Sequence, residues 1–182
     1  KASTPGLVYQ VASALNRDMG VTTSIYPFLD GETSSDAGQP ELNDADLELM
    51  RRYVSLLGVP ARRDLTNEEA LRGESLFQEA GCESCHRDTL VTGSSHPYAE
   101  LREQTIHPFT DMLLHDLGDG LADSLNEVNV PAREWRTAPL WGIGLTAGVS
   151  GEEVYLHDGR AQSLEHAILW HGGEAEAAKE NF

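Results

Sequence analysis

Cys82-Glu83-Ser84-Cys85-His86 holds the only two cysteines of the chain. Both thiols sit within one turn of backbone, so no disulfide framework can staple distant segments together. A structural zinc site would need a second cysteine pair to complete its ligand set, and none exists. A thiol-redox Cys-x-x-Cys lies beside a βαβ pattern, which the sequence lacks. Cys-x-x-Cys-His is, in contrast, the attachment signature of c-type haem. The spacing places the sulfurs for thioether bonds to the two vinyl groups, and the histidine after the second cysteine is delivered to the iron. The sequence therefore calls for one covalent haem c, bound through Cys82 and Cys85, with His86 as the first iron ligand. Such attachment lets a small protein keep its cofactor with little core around it.

The chain has 182 residues, of which 40% are apolar. That is enough for one domain or two small ones. No apolar run approaches the ~18–20 residues of a membrane span; stretches such as Ala138-Pro139-Leu140-Trp141 are short. Thirteen basic residues face 30 acidic ones, a net charge of −17. This field repels a phosphate backbone, which argues against nucleic acid, and attracts a basic redox partner protein. Lys1-Ala-Ser-Thr-Pro shows no signal peptide, so the chain reads as processed or cut from something longer. Haem attachment at such a motif takes place outside the bacterial cytoplasm, and the expected location is the periplasm.

Helical periodicity runs from Gly6 to Arg17 through Leu7, Val8, Val11, Ala14 and Leu15. Asp30 to Asp44 is rich in Gly, Ser, Asp, Glu and Pro and reads as a loop. Asp30, Glu32 and Asp36 fit no calcium-loop spacing. Asp44 to Leu57 is the clearest helix, with Leu47, Met50, Tyr53, Val54 and Leu57 on one face and Gly58 and Pro60 as the stop. A further helix is expected from Thr66, which forms a capping box with Glu69, to Ala80, and Gly81 breaks it just before Cys82. Arg87 to Glu153 is turn-rich, with short helices at most, at Thr110–His115 and Thr137–Trp141. The last helix spans Ser163 to His171, capped by Ser163 and ended by Gly172-Gly173. These elements predict an all-α, cytochrome c-like fold with long loops. Residues 1–60 form an N-terminal helical segment and residues 61–182 the haem domain. The 66–80 helix is expected to cross the last helix at Gly73 and Phe77.

A second axial ligand is expected downstream of His86. Met112, His96, His107, His115, His157, His166 and His171 are candidates. Leu164, Ala167, Ile168 and His171 share one helix face, which delivers His171 from an apolar wall, whereas His166 points away. His171 is equally well placed to interact with the dipole at a helix end.

Three stretches together carry a family resemblance: Gln104-Thr-Ile-His-Pro-Phe-Thr-Asp-Met-Leu-Leu-His-Asp-Leu-Gly118, Arg133-Glu-Trp-Arg-Thr-Ala-Pro-Leu-Trp-Gly-Ile-Gly-Leu145, and Tyr155-Leu-His-Asp-Gly-Arg160 followed by Leu164-Glu-His-Ala-Ile-Leu-Trp-His-Gly-Gly-Glu174. They resemble the C-terminal haem half of the bacterial di-haem, thiol-oxidoreductase-like oxidoreductases, which are similar to the di-haem cytochrome c peroxidases. The resemblance implies a distal ligand fourteen residues after the histidine of the His-Asp-Gly turn, which from His157 is His171. Bis-histidine iron follows. Arg136-Thr-Ala-Pro-Leu140 resembles the segment that runs beside the haem, which implies a propionate pairing for Arg136. Trp141 then packs against the macrocycle or fills the core. His115 and His157, each before an aspartate, are read as turn-fixing histidines ahead of proton-path groups. Full members carry two haem motifs where this chain has one, so a second haem domain is expected as a partner. The implied function is electron transfer. The alternative is a peroxidase-like enzyme whose sixth iron position is open or labile.

Overall fold

The computed structural model describes residues 1–32, 38–124, 127 and 130–182. The chain divides into two compact units, Thr4–Gly58 on the one hand and Lys1–Ser3 with Val59–Phe182 on the other. Asp36 lies outside the described residues.

The smaller unit is a helix pair, α1 (Leu7–Met19) and α2 (Asp44–Ser55). Gly20 ends α1 in the left-handed region at φ 68°, which glycine adopts without a Cβ penalty. Asn43 starts α2, its side-chain oxygen accepting the Asp46 N–H at 2.9 Å. Ala12, Leu15 and Leu47 form the core. The apolar face expected on α2 is mostly not buried: Leu47 is covered, but Tyr53 and Leu57 stay exposed. In the preceding loop, Asp30 lies 3.8 Å from Arg17.

The larger unit begins its regular structure with α3 (Glu68–Glu79). Its cap is Asn67, one residue after the expected Thr66. The Asn67 carboxamide oxygen accepts the N–H groups of Glu69 and Ala70 at 2.9 and 3.1 Å. Gly81, at φ 84°, turns the chain sharply into a 3₁₀ turn at Cys82–Ser84. Two antiparallel ladders follow: β1 (Leu90–Val91) with β2 (Thr105–Ile106), and β3 (Leu114–Asp116) with β4 (Glu134–Arg136). In the second ladder Leu114 faces Arg136, His115 faces Trp135, and Asp116 faces Glu134. Three short helices close the chain: α4 (Thr146–Ser150), α5 (Leu164–Leu169) and α6 (Glu176–Asn181). Ser163 caps α5, accepting the His166 N–H at 3.0 Å.

The all-α, cytochrome c-like expectation does not hold. Among the described residues, six short helices are joined by two small antiparallel sheets, an α/β mixture. The helix expected at Thr110–His115 is replaced by β3. Phe109 and Met112 both sit at positive φ, 54° and 63°, a conformation that cannot continue a right-handed helix. The buried Thr110 hydroxyl donates to Thr137 O at 2.7 Å, and Thr137 N–H donates to Leu113 O at 2.9 Å. These bonds hold 110–116 alongside 133–137 as a ladder. The helix expected at Thr137–Trp141 is also absent, and α4 forms further along. Gly73 faces open space instead of a helix crossing. Phe77 packs edge-on against the rings of His86 and Phe109, at centroid distances of 6.2 and 6.0 Å. Asn181 of α6 donates to Ala80 O, at the end of α3. No described helix is long and apolar enough to cross a membrane.

Candidate haem site

The 3₁₀ turn presents Cys82 and Cys85 as free, half-buried thiols. Burial pushes both thiols up from the usual cysteine value. At Cys85 the nearby charges of Asp111 and Glu174 act in the same direction. His86 follows directly, its backbone N–H donating to Cys82 O at 3.0 Å, so the turn fixes sulfurs and imidazole as one piece.

The imidazole of His86 is oriented from behind. Its Nδ1 lies 2.9 Å from Phe109 O, and a carbonyl only accepts, so Nδ1 carries the proton and Nε2 keeps its lone pair. The positive φ of Phe109 belongs to the backbone that aims this carbonyl. Burial holds His86 below the ordinary histidine value, and the charge of His171 acts in the same sense.

His171 sits just past α5 and is set in the same way. Its Nδ1 donates to Ala167 O at 2.7 Å, which again leaves Nε2 as the free base. The ring is half-buried, and His166 is exposed on the other side of the helix. Cys82, Cys85 and His86 thus share one turn, and His86 and His171 each commit Nδ1 to a backbone carbonyl and leave Nε2 available. The chemistry of these donors fits a haem: two thiols for the vinyl groups and two imidazoles with Nε2 available for the iron.

Three residues join this group that the sequence pattern did not single out. Phe109 supplies the carbonyl for His86. Asp111 and Glu174 clamp His115, with Asp111 Oδ2 2.8 Å from Nε2 and Glu174 Oε2 2.9 Å from Nδ1. The Glu174 bond, reinforced by Asp111, raises His115 above its ordinary value despite partial burial. With an acceptor at each nitrogen, His115 is an imidazolium between two carboxylates. Cys85, Asp111 and His115 each place one donor atom within 4.8 Å of the others.

Arg136 and Trp141 make their own contacts. Arg136, at the end of β4, donates to Met112 Sδ at 3.6 Å and Thr137 O at 3.3 Å. Trp141 lines an open cleft of about 380 Å³ with Arg62, Arg63, Phe109 and Leu140. Trp135, opposite His115 in the ladder, stacks on His157 with ring centroids 3.7 Å apart. Its Nε1–H donates to Leu121 O at 2.9 Å.

Neither a curated protein nor a solved structure matches the chain. One family model does, and it covers residues 1–182 under the description "Di-haem oxidoreductase, putative peroxidase". The chain belongs to this di-haem oxidoreductase family, so its cofactor is haem and its chemistry is haem-based redox.

Proposed function

We propose that Cys82 and Cys85 carry one haem as thioethers, that His86 and His171 are its axial ligands through Nε2, and that the larger unit transfers single electrons. The observation that carries this reading is the matched pair of histidines. Each has its Nδ1 proton committed to a backbone carbonyl, at 2.9 and 2.7 Å, and each keeps Nε2 as a base. When bound, the haem supplies one-electron exchange between Fe(III) and Fe(II). The chain's own part is orientation and environment. Burial keeps His86 neutral, the form that ligates. Phe77 packs against that ring and limits its rotation. With Cys85 as a thioether, the Cys85–Asp111–His115 group serves as a wall of the haem site, because a thioether no longer offers a thiolate to a second cation. Arg136 is proposed to face a propionate, and Trp141 to flank the macrocycle from its cleft.

Optical and EPR spectra of the ferric haem-loaded protein test this assignment. Low-spin bis-histidine signals are expected, and His171→Ala should turn them high-spin. An unchanged spectrum in the variant removes His171 from the iron. The family description favours a second reading, a peroxidase-like domain with an open or labile sixth position. On that reading the parent is already high-spin and responds at once to peroxide.

The chain holds one attachment motif in a di-haem family, so a second haem domain is the proposed electron partner. A basic carrier protein is the proposed external one, and its exchange rate should fall as salt rises. Periplasmic maturation predicts haem-free protein when the chain is expressed without a secretion leader; full loading would contradict it.

A further inference from the structure

The segment His171-Gly172-Gly173-Glu174 is docked on β3 in two ways. Its backbone approaches so closely that a Cβ on Gly172 would stand 3.1 Å from Leu117 O, and one on Gly173 would overlap Asp116 O and stand 2.8 Å from Gly118 N. Its only acidic side chain, Glu174, then bonds β3 with both oxygens: Oε1 accepts the Asp116 N–H at 3.0 Å, and Oε2 accepts from His115 Nδ1 at 2.9 Å. His115 is held in turn by Asp111, whose Oδ1 accepts the Leu113 N–H at 2.9 Å.

On the other side, His171 is tied to α5, through its N–H to Ile168 O and its Nδ1 to Ala167 O. Helix α5 has six residues, too few to be stable without outside anchorage. Two glycines separate His171 from the first side-chain anchor that follows it, Glu174.

We propose that Glu174 is the positioning residue for the distal ligand: its double bond to β3 is a latch that keeps His171 over the iron, and release of the latch opens the sixth position to a small ligand such as cyanide or peroxide. This rests on His171 being the distal ligand. The closed latch gives the six-coordinate site of an electron carrier. The open latch gives the accessible iron that a peroxidase requires. The Glu174 side chain is 58% exposed, so water competes for both of its bonds and the latch is breakable. The carboxylate also lies close enough to raise the Cys85 thiol, which puts the latch on the wall of the attachment site.

The test is the rate of cyanide binding to the ferric haem-loaded protein, read optically beside the EPR spin state. A low-spin parent that binds cyanide slowly is expected. Glu174→Gln should bind it at least about tenfold faster, the fold-change that loss of a charge-assisted hydrogen bond predicts. Glu174→Ala should be faster still and show a high-spin fraction. His115→Gln should match Glu174→Gln, and the double variant should gain nothing more, because both break one latch. A merely structural role would leave the cyanide rate and the spin state as in the parent. Glu180→Gln, a nearby surface acid, should behave as the parent. A low-spin parent with Glu174→Gln at the parental rate overturns the latch alone. A high-spin parent overturns the ligand assignment and the latch with it. If Glu174→Ala does not load haem, the comparison of Glu174→Gln with His115→Gln decides.

Discussion

Replacing Gly173 with alanine is the sharpest steric perturbation the fold offers. Gly173 has φ 56°, so any Cβ there pays the left-handed penalty of about 1–2 kcal/mol. The new methyl would overlap Asp116 O and lie 2.8 Å from Gly118 N, both backbone atoms that cannot rotate away. Overpacking against backbone adds about 1–3 kcal/mol. The sum is about 3 kcal/mol. At about 2–4 °C per kcal/mol for a chain of this size, the midpoint should fall by about 10 °C. Thermal unfolding of the haem-loaded protein, followed by circular dichroism, measures it. Gly73→Ala is the paired control. Gly73 lies inside α3, where an added methyl would meet nothing within 4 Å, so alanine should stabilise by about 0.5–1 kcal/mol. A midpoint for Gly173→Ala equal to the parent's would refute the docking of 171–174 on β3. A loss of stability in Gly73→Ala would restore a close helix crossing at that glycine.

Thr110→Val should cost about 1–3 kcal/mol in denaturant titration. It strips the buried hydroxyl that donates to Thr137 O and accepts the Met112 N–H, which removes the Met112 partner and leaves Thr137 O with the Arg136 guanidinium. Asn67→Ala should cost about 1 kcal/mol and Thr66→Ala almost nothing, since the two α3 N–H groups bond Asn67. The clamp at His115 gives stability a pH window. His115 is raised by its Glu174 bond, so its contribution is full below about pH 6.5 and is lost as pH rises through the folded value. Glu174 is lowered by the His115 bond. Asp111 is lowered because its bonds to the Leu113 N–H and His115 outweigh burial. Their contributions hold above about pH 4 and are lost as pH falls. Unfolding midpoints against pH should therefore lose their alkaline limb in His115→Gln.

What is legible in the sequence is what acts locally. Cys82, Cys85 and His86 stand out because their spacing falls within one turn of chain, where the structure places them. Ser163 and Gly81 declare the start of α5 and the end of α3 through their own backbone chemistry. The expectation for His171 rests on helical spacing and on the count from His157. Glu174 and Phe109 are not legible in this way, because their partners are remote: Glu174 meets His115 across 59 residues, and Phe109 meets His86 across 23. No periodicity reports such a pairing. The false helix at Thr110–His115 has the same origin. Its apolar spacing is compatible with a helix, but the long-range bonds between Thr110, Leu113 and Thr137 decide for a ladder.

That ladder explains why a haem unit of this family has β-structure where the sequence pattern predicts an all-helical one. A helix over 110–115 would bond its own backbone and leave nothing for distant segments. An irregular segment with Phe109 and Met112 at positive φ does the opposite and turns its polar groups outward. Phe109 O goes to His86, and Asp111 and His115 go to each other and to Glu174. Residues 109–116 thus support His86 with a carbonyl at one end and the segment after His171 with a charged clamp at the other. One segment tying both supports together means that disturbing the ladder should move both proposed iron ligands, His86 and His171, at once. A helix carrying only one of them would not have that property.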